Sequence, residues 1–181
     1  ERNRESADAE NKYVIRCMNT DKICVFTDQG KMHTVKVLDV PFGKFRDKGT
    51  PVDNICNYSS EKEQAIYVDC LTGIRDKKLV FATKAGMVKV VDGSEFDVTK
   101  RTVAATKLSG EEDLLMLVGI AEMNDYLVLQ SAGGYFLKFL LEEIPEKKKA
   151  AIGVRGIRLG EDDQVEAAYL LASRIDFTIH Y

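Results

Sequence analysis

Apolar and polar positions along the chain follow a pattern that recurs three times. A four-residue apolar run comes first: Ile23–Phe26, Leu79–Ala82 and Tyr126–Leu129. Each run meets Thr-x-x-Gly or its Ser variant, ending at Gly30, Gly86 and Gly134. A second short apolar segment carrying a lysine follows: Val35–Val37, Val88–Val90 and Leu137–Phe139. Two such runs flanking a glycine turn predict antiparallel strands joined by a tight hairpin, the glycine supplying φ > 0. The three glycines are 56 and 48 residues apart, so the period is that of a repeat architecture.

The likeness continues downstream. A basic, irregular stretch ends at an apolar residue, Ile55, Leu108 or Leu159, which falls 25, 22 or 25 residues after the glycine. An acidic turn comes next: Glu61–Glu63, Ser109–Asp113 and Gly160–Asp163. A last strand closes each unit, at Ala65–Cys70, Leu114–Ile120 and Val165–Leu171. One unit of three or four strands cannot cover both of its faces, whereas stacked units can. The fold predicted is therefore all-β, with three to four short antiparallel sheets arranged as blades. Helical periodicity is poor; only Glu142–Lys149 allows a helical turn, and Pro145 interrupts it. The domain is expected to run over 13–181, behind a polar leader at 1–12. Its repeats fall at 13–70, 71–120 and 121–171, with a last strand at 175–181. Tyr13–Met18 and Ile175–Tyr181 read as strands of neighbouring blades. No linker or low-complexity segment interrupts the chain.

Net charge is −3 over 181 residues, which excludes a general polycation. Its distribution changes that picture. Residues 30–49 hold five basic and two acidic residues, a net of +3; residues 84–107 hold five and three, a net of +2; residues 134–158 hold six and three, a net of +3. These windows total +8, leaving −11 for the rest. Positive charge thus recurs in phase with the fold, and in a blade array equivalent positions fall on the same side of every blade. Such a belt suits a polyanion tracked through its phosphates. The plainer role for any one lysine is to keep a strand edge from aggregating.

Other chemistry is sparse. Cys17, Cys24, Cys56 and Cys70 contain no C-x-x-C pair, and His33 and His180 stand far apart. No zinc ligand set is expected from that spacing, and the cysteines read as buried free thiols. No Ser/His/Asp or Cys/His set and no phosphate-binding glycine loop is present. The acidic runs read as solvated loop tips. Phe26, Phe81, Tyr126 and Phe139 read as core, and Phe96 as packing between blades, while Phe42 and Phe45 lie in a basic stretch. Gly153-Val154-Arg155-Gly156 offers a backbone able to approach a phosphate closely. No apolar run reaches the roughly 18 residues that span a bilayer, and the polar N-terminus is unlike a signal peptide.

Leu79–Lys89 resembles the repeat signature of the C-terminal domain of bacterial type IIA topoisomerase A subunits, the group of DNA gyrase and topoisomerase IV. So do Phe26–Lys31 with Lys44–Thr50, and Gly134–Lys138 with Gly153–Leu159. The resemblance covers about residues 13–171. It implies a β-pinwheel, a disc of four-stranded blades whose basic perimeter binds and bends duplex DNA. The family's perimeter positions fall on Lys31, Lys36, Lys84, Lys89, Lys138, Arg155 and Arg158. Lys100 and Arg101 match more loosely in variable loops, as do Lys44, Arg46, Lys48, Lys107 and Lys147–Lys149. The glycine-rich basic box of gyrase is not found, so the resemblance does not separate gyrase from topoisomerase IV. With three clear repeats, the chain matches part of a larger disc or a small member of the family.

The resemblance also implies what this domain does not carry. The family cleaves DNA with a tyrosine that follows an arginine, and none of the seven tyrosines does so here. The domain is therefore expected to be non-catalytic and to hold no cofactor or metal. ATP and magnesium would act in other parts of an ATP-dependent type II topoisomerase. Expected partners are duplex DNA, the ATPase B subunit and the rest of the A subunit, in a bacterial cytoplasm and without a membrane. The alternative is a propeller-like protein-interaction module that does not bind DNA.

Overall fold

The computed structural model describes residues 13–172. The leader at 1–12 and the strand expected at 175–181 lie outside the described residues. Strands β1 (Lys22–Thr27) and β2 (Lys31–Lys36) form the first hairpin, and β3 (Ala65–Cys70) returns beside β1. A single helical turn, α1 (Leu71–Ile74), leads to the hairpin of β4 (Lys78–Thr83) and β5 (Met87–Asp92). After the short β6 (Thr102–Ala104), β7 (Leu115–Ala121) returns beside β4. The third unit repeats the plan with β8 (Tyr126–Ser131), β9 (Phe136–Leu140), β10 (Val154–Arg155) and β11 (Val165–Leu171).

The all-β reading is therefore correct, and the hairpins and returning strands lie where the apolar pattern placed them. The short strands depart from it. β6 follows the second hairpin but pairs with β2, completing a first sheet of order β3-β1-β2-β6. β10 likewise pairs with β5, giving β10-β5-β4-β7. The second and third basic excursions thus each lend a strand to the preceding unit. The third sheet, β11-β8-β9, has three strands among the described residues. Tyr13–Met18 is not a strand, contrary to the sequence expectation, and Glu142–Lys149 contributes only the end of a 3-10 turn at Leu141–Glu143.

Alternation along the strands builds two cores. Cys24, Phe26 and Met32 of the first sheet meet Leu79, Phe81 and Val91 of the second, with Phe96 inserted between. Val80, Ala82, Val88 and Val90 on the other face of the second sheet meet Leu127, Leu129 and Leu141. Phe96 stacks edge-on against Phe26, with ring centroids 5.2 Å apart. Between neighbouring sheets β7 touches both β3 and β11. The sheets therefore converge along that edge, and the edge bearing β6, β10 and β9 is the peripheral one.

All three hairpins use the same turn. The glycine N–H donates to the carbonyl of Thr27, Thr83 or Ser131 at 2.9–3.1 Å. Gly30, Gly86 and Gly134 have φ of 73°, 82° and 91°. At Gly86 an added Cβ would also lie 3.0 Å from Ile157 Cγ2. Gly86→Val should cost about 2–3 kcal/mol through left-handed strain in a β-branched residue. Thermal melting checks this, and an unchanged midpoint would show that the turn relaxes without strain.

Candidate nucleic-acid interface

The lent strands decide which basic side chains reach the periphery. After β5 the chain buries Phe96 and then crosses to the first sheet. There Thr34 N–H donates to Arg101 O at 2.8 Å, and Thr102–Ala104 pairs with Lys31–His33. Lys100 and Arg101 are thereby held exposed at the β2–β6 edge, together with Lys31 and Lys36. Lys36 stands opposite Lys22 in the register, a like-charged cross-strand pair that is unfavourable without a counter-ion.

The third excursion does the same for the second sheet. Gly153 and Gly156 press against β5: an added Cβ would lie 2.4 Å from Val88 O at Gly153 and 2.8 Å from Val88 Cγ1 at Gly156. The close approach read from this motif is thus to a neighbouring strand. It fixes Arg155 opposite Met87 and leaves Arg155 and Arg158 exposed. Both arginines line an open hollow of about 600 Å³ with Tyr135 of the β8–β9 turn and Phe136 of β9. Lys138 projects from β9 beside the Tyr126 ring, with Nζ 5.2 Å from its centroid.

Lys89 does not join this edge, which corrects the sequence expectation. It is 1% exposed. The third excursion is anchored to β5 on both sides of it, by Lys147 N–H on Val90 O and by the β10 pairing. Between these anchors the Lys89 ammonium donates to the carbonyls of Lys148, Lys149 and Ala151 at 2.9–3.0 Å. Its Nζ lies 5.4 Å from the Phe81 ring centroid. Burial pushes its pKa down to about 8.

Distance from the turn glycine separates these lysines by sheet face. Lys36 and Lys138 follow by six and four residues, Lys89 by three. Side chains alternate faces with period two, so Lys89 takes the opposite face from those two, the face of β5 that also bears Val91 and meets the first sheet. The equivalent residue of the first unit is His33, which is also buried. Its ring contacts Glu63 Oε1 at 2.7 Å and Thr102 Oγ1 at 2.8 Å, joining the lent strand to its host sheet. Thr, His and Glu are in the order of a nucleophile, base and orienting acid. With His33 2% and Glu63 6% exposed, no room is left for a substrate and the trio is a structural tie.

Lys84 lies apart from the other expected positions. It lies in the β4–β5 turn and lines an open hollow with Glu111, Glu112, Asp113 and Asp163. The acidic turns are not wholly solvated tips either. Asp113 is 5% exposed and accepts from the N–H groups of Ala85, Ser109 and Leu114 at 2.9–3.1 Å. Asp163 does the same for Gly133 and Gln164. These carboxylates tie the second and third hairpin turns to their returning strands.

Lys78, equivalent to Lys22, is neutralised by Asp92 at 3.2 Å and Glu146 at 2.7 Å. None of Lys31, Lys36, Lys100, Arg101, Lys138, Arg155 and Arg158 makes an ion pair among the described residues. Lys44, Arg46 and Lys48 are exposed on the first excursion, with Phe42 and Phe45 exposed beside them. Among the described residues no helix is long and apolar enough to cross a membrane.

Comparison with known proteins places this geometry. A family model described as the DNA gyrase C-terminal domain, beta-propeller, matches residues 77–118 and 125–172. The A subunit of DNA gyrase from Lawsonia intracellularis is 34% identical over 166 residues, 90% of this chain and 20% of that protein. The A subunit of DNA topoisomerase 4 from Streptococcus pneumoniae is 26% identical over 163 residues, 87% and 20% of the two chains. The chain thus spans about a fifth of the length of these curated relatives. Among solved structures, the C-terminal domain of DNA topoisomerase IV superposes with a TM-score of 0.81 at 21% identity. It covers 95% of this chain and 56% of that one.

Proposed function

From the DNA gyrase C-terminal beta-propeller family, to which this chain belongs, we infer that it is a non-catalytic module that binds and bends duplex DNA within a type IIA topoisomerase. The observation that carries this reading is the row of exposed cations along the peripheral edge. Seven exposed basic side chains in series over three sheets make a field suited to a phosphate backbone. Lys44, Arg46 and Lys48 extend it. Lys84 and Lys89 are not part of it.

Bending follows from the stacking. The sheets converge along β3, β7 and β11, so the opposite edge is convex. A duplex that keeps its phosphates on a convex edge must curve, and the curvature cost is offset by the added contacts. Contacts to phosphate position DNA without reading its sequence, so weak sequence preference accompanies this binding. In the whole protein the module would present a DNA segment to the cleavage core of the A subunit. ATP and magnesium would act there and in the B subunit, in the bacterial cytoplasm. Relatives of both gyrase and topoisomerase IV type match the chain, and the proposal holds for either.

The test is a linear duplex of about 40 base pairs carrying a fluorophore at each end. Energy transfer between the ends should rise as protein is added and fall back on raising salt. Binding with an unchanged end-to-end distance would rule out bending. Absence of binding to every duplex tried would favour an interaction module, for which exposed Phe42, Phe45, Tyr135 and Phe136 would be the contact residues.

A further inference from the structure

The segment before β1 brings together groups that the sequence keeps far apart. Cys17 and Cys70 are 53 residues apart. The register places Ile23 opposite Cys70, so the residues just before β1 pass the end of β3. The sulfurs of Cys17 and Cys70 and a carboxylate oxygen of Asp21 all lie within 4.8 Å of one another. Cys70 Sγ is 3.3 Å from Asp21 Oδ2. Donors bound to a tetrahedral zinc ion at about 2.1–2.3 Å are separated by roughly 3.5–3.8 Å. The cluster therefore needs only small side-chain adjustments to hold one.

The surroundings hold these donors in place. Thr72 Oγ1 lies 3.0 Å from Cys70 Sγ and 3.5 Å from Asp21 Oδ2. Met18 N–H donates to Asp21 Oδ2 at 2.8 Å. Outer groups of this kind orient metal ligands. Cys70 is buried, Cys17 and Asp21 are half-buried, and both cysteines are free thiols. Two sulfurs and one carboxylate suit a borderline-soft divalent cation better than calcium or magnesium, which prefer oxygen ligands throughout.

We propose that Cys17, Asp21 and Cys70 bind one zinc-class divalent cation, with water as fourth ligand, clamping the segment before β1 to the end of β3. Binding releases the two thiol protons to solvent and leaves every oxidation state unchanged. The site is remote in chemistry from the basic edge and independent of DNA binding.

The experiment is a cobalt(II) titration of the reduced, chelator-treated chain. One equivalent should produce thiolate-to-cobalt charge transfer together with the visible bands of four-coordinate cobalt, and zinc should abolish both. Zinc should also raise the melting temperature, as any ligand of the native state does. C17S and C70S should each weaken binding by more than about tenfold, with far-UV circular dichroism unchanged. C24S and C56S should leave it intact. Absence of charge transfer at one equivalent would overturn the site. So would a signal that survives the C17S/C70S double variant.

Discussion

Lys89→Ala should lower the melting temperature by roughly 6–12 °C, while DNA affinity of the folded protein is retained. The ammonium holds three carbonyls of the third excursion. Hydrogen bonds to a charged group contribute about 1.5–3 kcal/mol each. Part of that is offset by the cost of burying the charge, so a net loss of about 3 kcal/mol is reasonable. For a domain of this size one kcal/mol moves the midpoint by about 2–4 °C. Lys89→Glu should be worse, because it sets a carboxylate against the same carbonyls. A pH series adds an independent check. Burial holds the folded pKa at about 8, below the ordinary lysine value of about 10.4. Between these values the unfolded chain binds more protons, so this group's contribution to stability rises with pH from about 8 to 10.4. Lys89→Met should remove that rise. An unchanged midpoint with weakened DNA binding would return Lys89 to the interface.

The opposite behaviour is expected at the edge. Reversing Lys100, Arg101, Arg155 and Arg158 to glutamate should reduce duplex affinity at low salt by roughly a hundredfold or more, through lost phosphate contacts and new repulsion. Stability should change little, since these side chains are exposed and form no ion pair among the described residues. The slope of log affinity against log salt should flatten by about 0.9 for each contact removed. Lys84→Glu, in the acidic hollow, serves as a control that leaves affinity near wild type. An edge variant that binds as tightly as the unmodified chain would move the interface elsewhere.

The contrast between Lys89 and Lys138 shows how far the sequence could be read. Hairpins and returning strands were legible because a turn glycine and an apolar run are local signals. The repeat of those signals led to the family. The presence of a lysine in a strand does not by itself say whether the face it takes is covered. Aligning on the turn glycine puts Lys89 on the opposite face from Lys36 and Lys138, but Val88 and Val90 at even offsets are buried too and Lys31 and Leu137 at odd ones are exposed, so only the packing of neighbouring sheets decides which lysine is covered.

The lent strands were harder to see. β10 has two residues and β6 three, too short for a periodic pattern, and their hosts are in another repeat. The same non-local step hid the Lys89 arch, which needs the third excursion laid over β5. It also hid the contact of Cys17 with Cys70, where a search for close ligand pairs is blind to residues joined by strand register. Asp113 was misread for a related reason. An acidic run in a turn has the composition of a solvated tip, and only the folded turn shows three N–H groups aimed at one carboxylate.

The most direct test of the central claim is the affinity of the chain for a linear duplex of about 40 base pairs, titrated against salt. An unpaired basic edge predicts a log–log slope of about −3 or steeper, corresponding to several phosphate contacts at about 0.9 each, with little dependence on sequence. A slope near zero, or no binding at the lowest salt, would contradict it.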